Sequence, residues 1–201
     1  MSTQTVTETV DYIPNVLDFS PMRLSDEQFE SLARNHPELN LELSAEGELI
    51  IVAPTLPYTG AKNADLTADL TFWARQDGTG KVFDSSSLFT FPNGAKRSPD
   101  AAWVRKEKWE ALSEQEKKKF SRLVPDFVAE LQSGTDSLKT LRRKMTEYIS
   151  NGVRLAWLID PLEKQVSIYR ANGEVEVLDD PETVLGEDVL SGFELKVRAL
   201  W

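Results

Sequence analysis

Apolar residues recur along the chain with two different periods, and together these periods predict a mixture of helices and strands. Helical spacing predicts three longer helices, at about 25–35, 59–76 and 137–150. A capping box of Ser25 with Gln28 opens the first helix, and Gly152 follows the end of the third. The middle helix carries two apolar stripes, which predicts burial on two sides. The stripes are Leu66, Leu70 and Trp73, and Ala61, Ala64, Ala68 and Phe72.

Alternating apolar and polar residues, bounded by turn residues, predict a series of strands between these helices. The strands are expected at about 39–44, 48–53, 81–84, 87–91, 98–104, 125–132, 154–159, 165–170 and 174–178. A second capping box at 113–116 predicts a short charged helix, and the tail to Trp201 is a candidate for one more strand.

The order of these elements predicts the fold class. Strand 125–132, helix 137–150 and strand 154–159 form a crossover, so the two strands are expected to be parallel neighbours. Other strands are joined as hairpins. We therefore expect a mixed α/β fold (an α+β mixed sheet), with helices flanking a central mixed sheet. The 201 residues are expected to form one domain over 19–201, after a flexible N-terminal tail at 1–18.

Composition restricts both the compartment and the chemistry. The chain has no Cys, no apolar run long enough for a bilayer and no signal-like start, so we expect a cytoplasmic protein without a membrane partner. With one His and no Cys, a metal site must use carboxylate, carbonyl and water oxygens, which favours Mg²⁺, Mn²⁺ or Ca²⁺. The net charge of −10 argues against coating nucleic acid by bulk attraction, although it leaves room for a local basic patch.

Two acidic residues are the strongest candidates for chemistry. Asp100 follows Ser-Pro and enters an apolar strand, and Glu130 lies deep within strand 125–132. Alternate residues of that second strand share one face, namely Asp126, Val128, Glu130 and Gln132. A carboxylate in such an apolar setting needs a cation, either a metal or a basic side chain. A divalent ion between Asp100 and Glu130 is one reading, and salt bridges at strand ends are the other.

The helix at 137–150 supplies basic residues near the same place. Lys144 flanks its apolar stripe and can bend its ammonium toward Glu130. A local basic patch for phosphates can be built from Lys96, Arg97, Lys139, Arg142 and Arg143. Ordinary solvation of the helix is the alternative reading, and it is favoured for Lys139 and Arg143.

These motifs together resemble a known family. They are Ser-Pro-Asp at 98–100, Pro-Asp-Phe-Val-Ala-Glu-Leu-Gln-Ser at 125–133, Asp-Ser-Leu at 136–138 with Lys144 and Tyr148, and Gly-Val-Arg-Leu-Ala-Trp-Leu-Ile-Asp-Pro at 152–161. Their order and spacing, over most of residues 20–195, are similar to the "putative restriction endonuclease" family of the PD-(D/E)XK nuclease superfamily. The resemblance implies a restriction-endonuclease-like core, with Asp100 and Glu130 as Mg²⁺ ligands joined by the backbone carbonyl of Leu131.

One position departs from the family pattern. Residue 132 is Gln, where the superfamily motif has a lysine that steadies charge at the phosphorus. Gln132 can still orient a water molecule, and the resemblance allows Lys144 on the following helix to supply the charge. Glu42, in the first predicted hairpin, is a candidate third carboxylate, and a solvent-facing strand residue is its alternative reading.

The sequence therefore leads to one functional hypothesis and two rivals. The leading hypothesis is a metal-dependent endonuclease-like phosphodiesterase that hydrolyses DNA, with Mg²⁺ or Mn²⁺ as cofactor. A homodimer would suit double-strand cleavage. The first rival is a catalytically weak or inactive nuclease-fold domain that binds nucleic acid or protein. The second is a hydrolase of another phosphate ester that uses the same carboxylates.

Overall fold

The computed structural model describes residues 15–120, 122–134 and 136–201. Four α-helices lie within them: α1 (Asp26–Asn35), α2 (Pro57–Asp77), α3 (Lys106–Glu110) and α4 (Leu138–Ser150). The first eight strands are β1 (Asn15–Asp18), β2 (Asn40–Leu43), β3 (Glu48–Val52), β4 (Gly80–Asp84), β5 (Phe89–Thr90), β6 (Lys96–Arg97), β7 (Ala101–Arg105) and β8 (Phe127–Leu131). The remaining strands are β9 (Leu155–Asp160), β10 (Gln165–Arg170), β11 (Val175–Asp179), β12 (Val184–Leu185) and β13 (Glu194–Leu195).

A six-stranded mixed sheet, in the order β11-β10-β9-β8-β7-β4, forms the centre of the molecule. The predicted crossover is confirmed, because β8 and β9 pair in parallel and α4 connects them. The other pairs in this sheet are antiparallel. The predicted fold class, a mixed sheet flanked by helices, is therefore confirmed.

Helices cover the two faces of this sheet, and alternation along β8 decides which residue faces which helix. Phe127, Ala129 and Leu131 belong to a buried cluster with Leu66 and Leu70 of α2. On the opposite face, the buried cluster combines Val128 of β8 with Leu141, Met145 and Tyr148 of α4. Glu130 therefore lies on the α4 face of the sheet, among apolar neighbours.

A second sheet, in the order β1-β3-β2-β6-β5, carries the predicted first hairpin. Helix α1 begins with the predicted capping box and buries Phe29 in a cluster with Leu41, Leu43 and Leu49 of the hairpin. Antiparallel pairing of Leu43 with Lys96 joins the hairpin to β6. This pairing brings β2 beside the segment that leads into Asp100.

Several elements differ from the sequence-based expectations. Residues 15–18 form β1, paired with β3, where a tail was expected; the rest of that expectation, at 1–14, lies outside the described residues. The strand expected at 98–104 begins only at Ala101, as β7, because Pro99 has no N–H to donate to a ladder; β6, which precedes it, was not anticipated. The capping box at Ser113 opens only one turn of 3₁₀ helix, Glu116–Lys118, whereas α3 was not anticipated.

The prediction that α2 is buried on two sides is wrong. Leu66 and Leu70 are fully buried, whereas the alanine stripe is exposed and Phe72 is 67% exposed. Alanine side chains offer little apolar area, so the stripe of Leu66 and Leu70, which covers one face of the sheet, accounts for most of the apolar area that this helix can bury. Among the helices of the described residues, none combines the length and apolar character needed to span a membrane.

Candidate active site

The pairing of β7 with β8 brings the two predicted acidic residues together. Ala101 lies opposite Ala129 in this antiparallel pair. Continuing the register by one residue places Asp100 opposite Glu130. Both side chains line one cavity of about 1010 Å³. The structure thus brings together two residues that are thirty positions apart in the chain.

Glu130 is held by two groups from α4. The Tyr148 hydroxyl donates to its Oε1 over 2.6 Å, and the Lys144 Nζ lies 2.9 Å from the same oxygen. Burial raises the pKa of Glu130 to about 7, and Lys144 only partly offsets this effect. Burial, followed by the Glu130 charge, also raises the pKa of Tyr148 well above its usual value, so its hydroxyl stays protonated as a donor.

Asp100 is held by a backbone amide and by a side chain that sequence reasoning missed. Its Oδ2 accepts from Leu131 N over 2.8 Å, and its Oδ1 accepts from Asn63 Nδ2 over 2.9 Å. Burial raises the pKa of Asp100, against the effect of the Leu131 amide. Asn63 comes from α2, and its Oδ1 is buried without a hydrogen-bond partner in the described structure. No local signal distinguished Asn63 from any other polar residue of that helix.

Lys144 lies between two buried carboxylates. Its Nζ is 3.0 Å from Glu42 Oε1 and 2.9 Å from Glu130 Oε1. Burial alone would lower the pKa of Lys144, but the two carboxylates outweigh it and raise the pKa. The sequence-based prediction that Lys144 reaches toward Glu130 thus agrees with the contacts of α4.

Glu42 is saturated by donors. Its Oε1 accepts from Ser98 N over 2.9 Å and from Lys144, and its Oε2 accepts from Arg97 over 3.2 Å. Burial alone would raise the pKa of Glu42, yet the charges of Lys144 and Arg97 lower it. Arg97 also pairs with Glu147 over 2.8 Å. The solvent-facing alternative for Glu42 is wrong, because its side chain is buried. Its role as a third metal ligand stays a prediction, although both of its oxygens already contact cations.

The predicted basic patch does not form. Lys96 is buried and pairs with Asp26 over 2.7 Å, and Arg97 is buried between Glu42 and Glu147. Only the helix residues of the proposed patch, Lys139, Arg142 and Arg143, are exposed. Burial of the two strand residues follows from their place in β6, which lies inside the second sheet.

Gln132 sits beside the cavity without being among its lining residues. The neighbouring Leu131 and Ser133 line it, whereas the Gln132 amide donates to Ile159 O over 2.8 Å. The side-chain Oε1 of Gln132 is buried and has no hydrogen-bond partner within the described residues. Its proposed role in orienting a water molecule stays a prediction.

The charge balance of the cavity bears on whether a metal fits. Among residues 15–120, 122–134 and 136–201, no three acidic or His side chains are grouped closely enough to hold an ion by themselves. A site here would therefore rest on the carboxylates of Asp100 and Glu130. Carboxylates outnumber cations among the residues that line the cavity, seven to three. The acids are Glu42, Glu46, Glu48, Asp100, Glu130, Asp136 and Glu147, and the cations are Arg97, Arg143 and Lys144. That excess, the raised pKa values of both candidate ligands and the unpaired Asn63 Oδ1 fit one divalent ion with its water shell.

The mixed sheet between helices, with an acidic pair on adjacent strands and a lysine above it, defines a restriction-endonuclease-like protein. A family model described as putative restriction endonuclease (Uma2) matches residues 26–198, and the chain belongs to this family. The chain is also similar in fold to the crystal structure of a putative nuclease belonging to DUF820 from Anabaena variabilis ATCC 29413. That likeness has a TM-score of 0.71 and 22% identity, and it covers 81% of this chain and 90% of the other. No curated protein matches the sequence.

Proposed function

We propose that the protein is a divalent-metal-dependent endonuclease-like phosphodiesterase that acts on DNA. One observation carries this proposal: Asp100 and Glu130 lie opposite each other in one cavity with an excess of negative charge. Membership in a family of restriction endonucleases supports the reaction class. The choice of DNA as substrate rests on that membership alone.

The ligands of the ion would be the carboxylates of Asp100 and Glu130 and the backbone carbonyl of Leu131, with water completing the shell of Mg²⁺ or Mn²⁺. A bound ion of this kind polarises a phosphoryl oxygen and lowers the pKa of its water. Around it, Asn63 fixes the orientation of Asp100, and Tyr148 fixes that of Glu130.

Among the three cations that line the cavity, Lys144 is the one in contact with Glu130. Its ammonium is available on the α4 side of Glu130, where it would stabilise negative charge that develops on the phosphate. This placement allows α4 to provide what residue 132, a Gln, cannot. We therefore assign to Lys144 the role that the superfamily motif gives to its lysine.

A catalytically weak or inactive binding module is the second candidate, and one observation favours it. Lys144 already forms ion pairs with both Glu130 and Glu42. A site that is satisfied in this way could persist in a domain that no longer cuts. The decisive question is therefore whether a metal binds at all.

Thermal melting with Mn²⁺ answers this question. With the ion at about a hundredfold over its dissociation constant, binding should stabilise the wild type by about 3 kcal/mol, or about 5–10 °C. Asp100→Asn should abolish the rise, whereas Asp65→Asn, an exposed aspartate of α2, should keep it. No rise with millimolar Mn²⁺ in the wild type would favour the binding module.

Cleavage assays then test the reaction and its substrate. Wild-type protein with Mg²⁺ should nick supercoiled plasmid DNA, and Glu130→Gln should not. Retained cleavage by Glu130→Gln would remove Glu130 from the mechanism. Hydrolysis of a generic phosphodiester without cleavage of DNA would instead favour a hydrolase of another phosphate ester.

A further inference from the structure

We propose that Lys144 is the resident counter-ion of the metal-free site, in competition with the metal for Glu130, and that Glu42 is a positioning residue that retains the lysine ammonium when the metal binds. This inference rests on the proposed function, because it concerns the same metal. In this proposal, Glu42 acts through Lys144 and is not itself a ligand of the ion.

The contacts of Lys144 show that one ammonium serves two buried carboxylates. Its distances to Glu42 and Glu130, 3.0 and 2.9 Å, are nearly equal. The carboxyl-bearing side chains of Glu42 and Glu130 are only 7% and 6% exposed. Because both carboxylates are almost fully buried and need a cation, the ammonium supplies part of the charge that a divalent ion would supply.

Both contacts of Glu130 fall on one oxygen. Lys144 and Tyr148 share Oε1, whereas Oε2 has no hydrogen-bond partner in the described part of the chain. A metal can therefore approach Glu130 through Oε2. A metal held by Glu130 would repel the ammonium on the same carboxylate and so would weaken the contact between Lys144 and Glu130.

Glu42 provides an ion-pair partner for the Lys144 ammonium when its contact with Glu130 weakens. It comes from β2 and is anchored by Arg97 and by the Ser98 amide. The Lys144 ammonium can therefore keep its contact with Glu42 while its contact with Glu130 weakens, and it would remain in the cavity. Without the charge of Glu42, the ammonium would stay on Glu130 and oppose the metal.

The two single variants are expected to change metal affinity in opposite directions. Mn²⁺ affinity is measured by calorimetry on the full chain in the absence of substrate. Lys144→Met should bind Mn²⁺ about tenfold more tightly, because it removes a competing charge, while losing DNA cleavage. Glu42→Gln should bind Mn²⁺ about tenfold more weakly. Lys139→Met, which removes an exposed charge from the same helix, should bind as the wild type does.

The double variant separates a positioning role from a ligand role. In the Lys144→Met background, Glu42→Gln should weaken Mn²⁺ binding by no more than about threefold, because Glu42 acts through the lysine. An equal loss in both backgrounds would make Glu42 a ligand and overturn the inference. Melting of each variant in EDTA checks that it folds.

The remaining outcomes also discriminate. If Glu42→Gln does not fold, Lys144→Met decides alone: tighter Mn²⁺ binding supports the inference, and weaker or unchanged binding overturns it. Binding by Lys144→Met but not by the wild type would support it. Suppose that the wild type binds Mn²⁺, that Asp100→Asn abolishes this binding, and that Lys144→Met binds Mn²⁺ no more tightly than the wild type. That result would overturn this inference and leave the proposed function standing. Absence of binding in both proteins would overturn both.

Discussion

Neutralising two buried carboxylates, one just before β8 and one within it, should change the stability of the fold in opposite directions. Asp126, just before the strand, lies 2.9 Å from Lys108 Nζ and 3.5 Å from Arg105 Nε, and it accepts from the Arg105 amide over 3.0 Å. Glu130, four residues on, shares one lysine with Glu42. We predict that Asp126→Asn destabilises the fold and that Glu130→Gln stabilises the metal-free fold.

The magnitudes follow from the partners. Asp126→Asn leaves Lys108 and Arg105 without their shared counter-charge; both are partly exposed and can rehydrate, so we expect a loss of about 2–3 kcal/mol. For Glu130, a pKa of about 7 instead of 4.5 means that ionisation in the folded state costs up to about 3 kcal/mol. Gln keeps an acceptor for Tyr148 and removes that cost, so we expect a gain of about 1–3 kcal/mol.

The pH dependence of stability tests whether the Glu130 carboxylate stabilises or destabilises the fold. Because the pKa of Glu130 is raised in the folded state, folded protein holds more protons than unfolded protein between about pH 4.5 and 7. Stability from this group therefore falls as the pH rises through that window. The advantage of Glu130→Gln should be full at pH 8 and small at pH 5.

Urea unfolding in EDTA at both pH values measures these differences. Asp126→Asn should lower the free energy of unfolding, and Glu130→Gln should raise it at pH 8. A loss of 2 kcal/mol or more in Glu130→Gln at pH 8 would refute the reasoning, since the carboxylate would then be a structural anchor like Asp126.

Three further predictions concern other parts of the molecule. Asn63→Leu should weaken Mn²⁺ binding by about tenfold in calorimetry, because it removes the donor to Asp100 Oδ1, and an unchanged affinity would contradict this role. Asp26→Asn should cost about 1–2 kcal/mol at pH 7, because it leaves the buried Lys96 ammonium without its carboxylate. Since Lys96 lowers the pKa of Asp26, that cost should shrink as the pH falls below about 4, and a constant cost in acid would count against it. Fluorescence anisotropy with labelled DNA at physiological salt should show binding in Ca²⁺ and little in EDTA, because acidic residues outnumber basic ones in the cavity lining; tight binding in EDTA would contradict this.

The sequence predicted the parts of the site that depend on local periodicity. Alternation along β8 correctly separated Glu130 from Phe127 and Leu131, and the helical stripe of α4 placed Lys144 beside Tyr148. The crossover was predictable because connections of this kind follow a general rule.

Contacts between distant segments could not be read in the same way. Asn63 meets Asp100 across 37 positions, and Glu42 meets Arg97 across 55 and Lys144 across 102. Periodicity gives the face of a strand or helix on which a residue lies, but not which segment packs against that face. The burial of Arg97 was missed for the same reason, since it depends on where β6 enters the second sheet.

The departure at residue 132 has a topological explanation. The crossover returns α4 across the face of the sheet to which Glu130 points, so Lys144, at the middle of that helix, reaches the carboxylate. Residue 132 follows the end of β8, where its amide already pairs with Ile159 and its half-buried side chain does not line the cavity. Lys144, in contrast, has two carboxylates within 3.0 Å. The positive charge of the site can therefore reside on α4 without any change in the positions of Asp100 and Glu130.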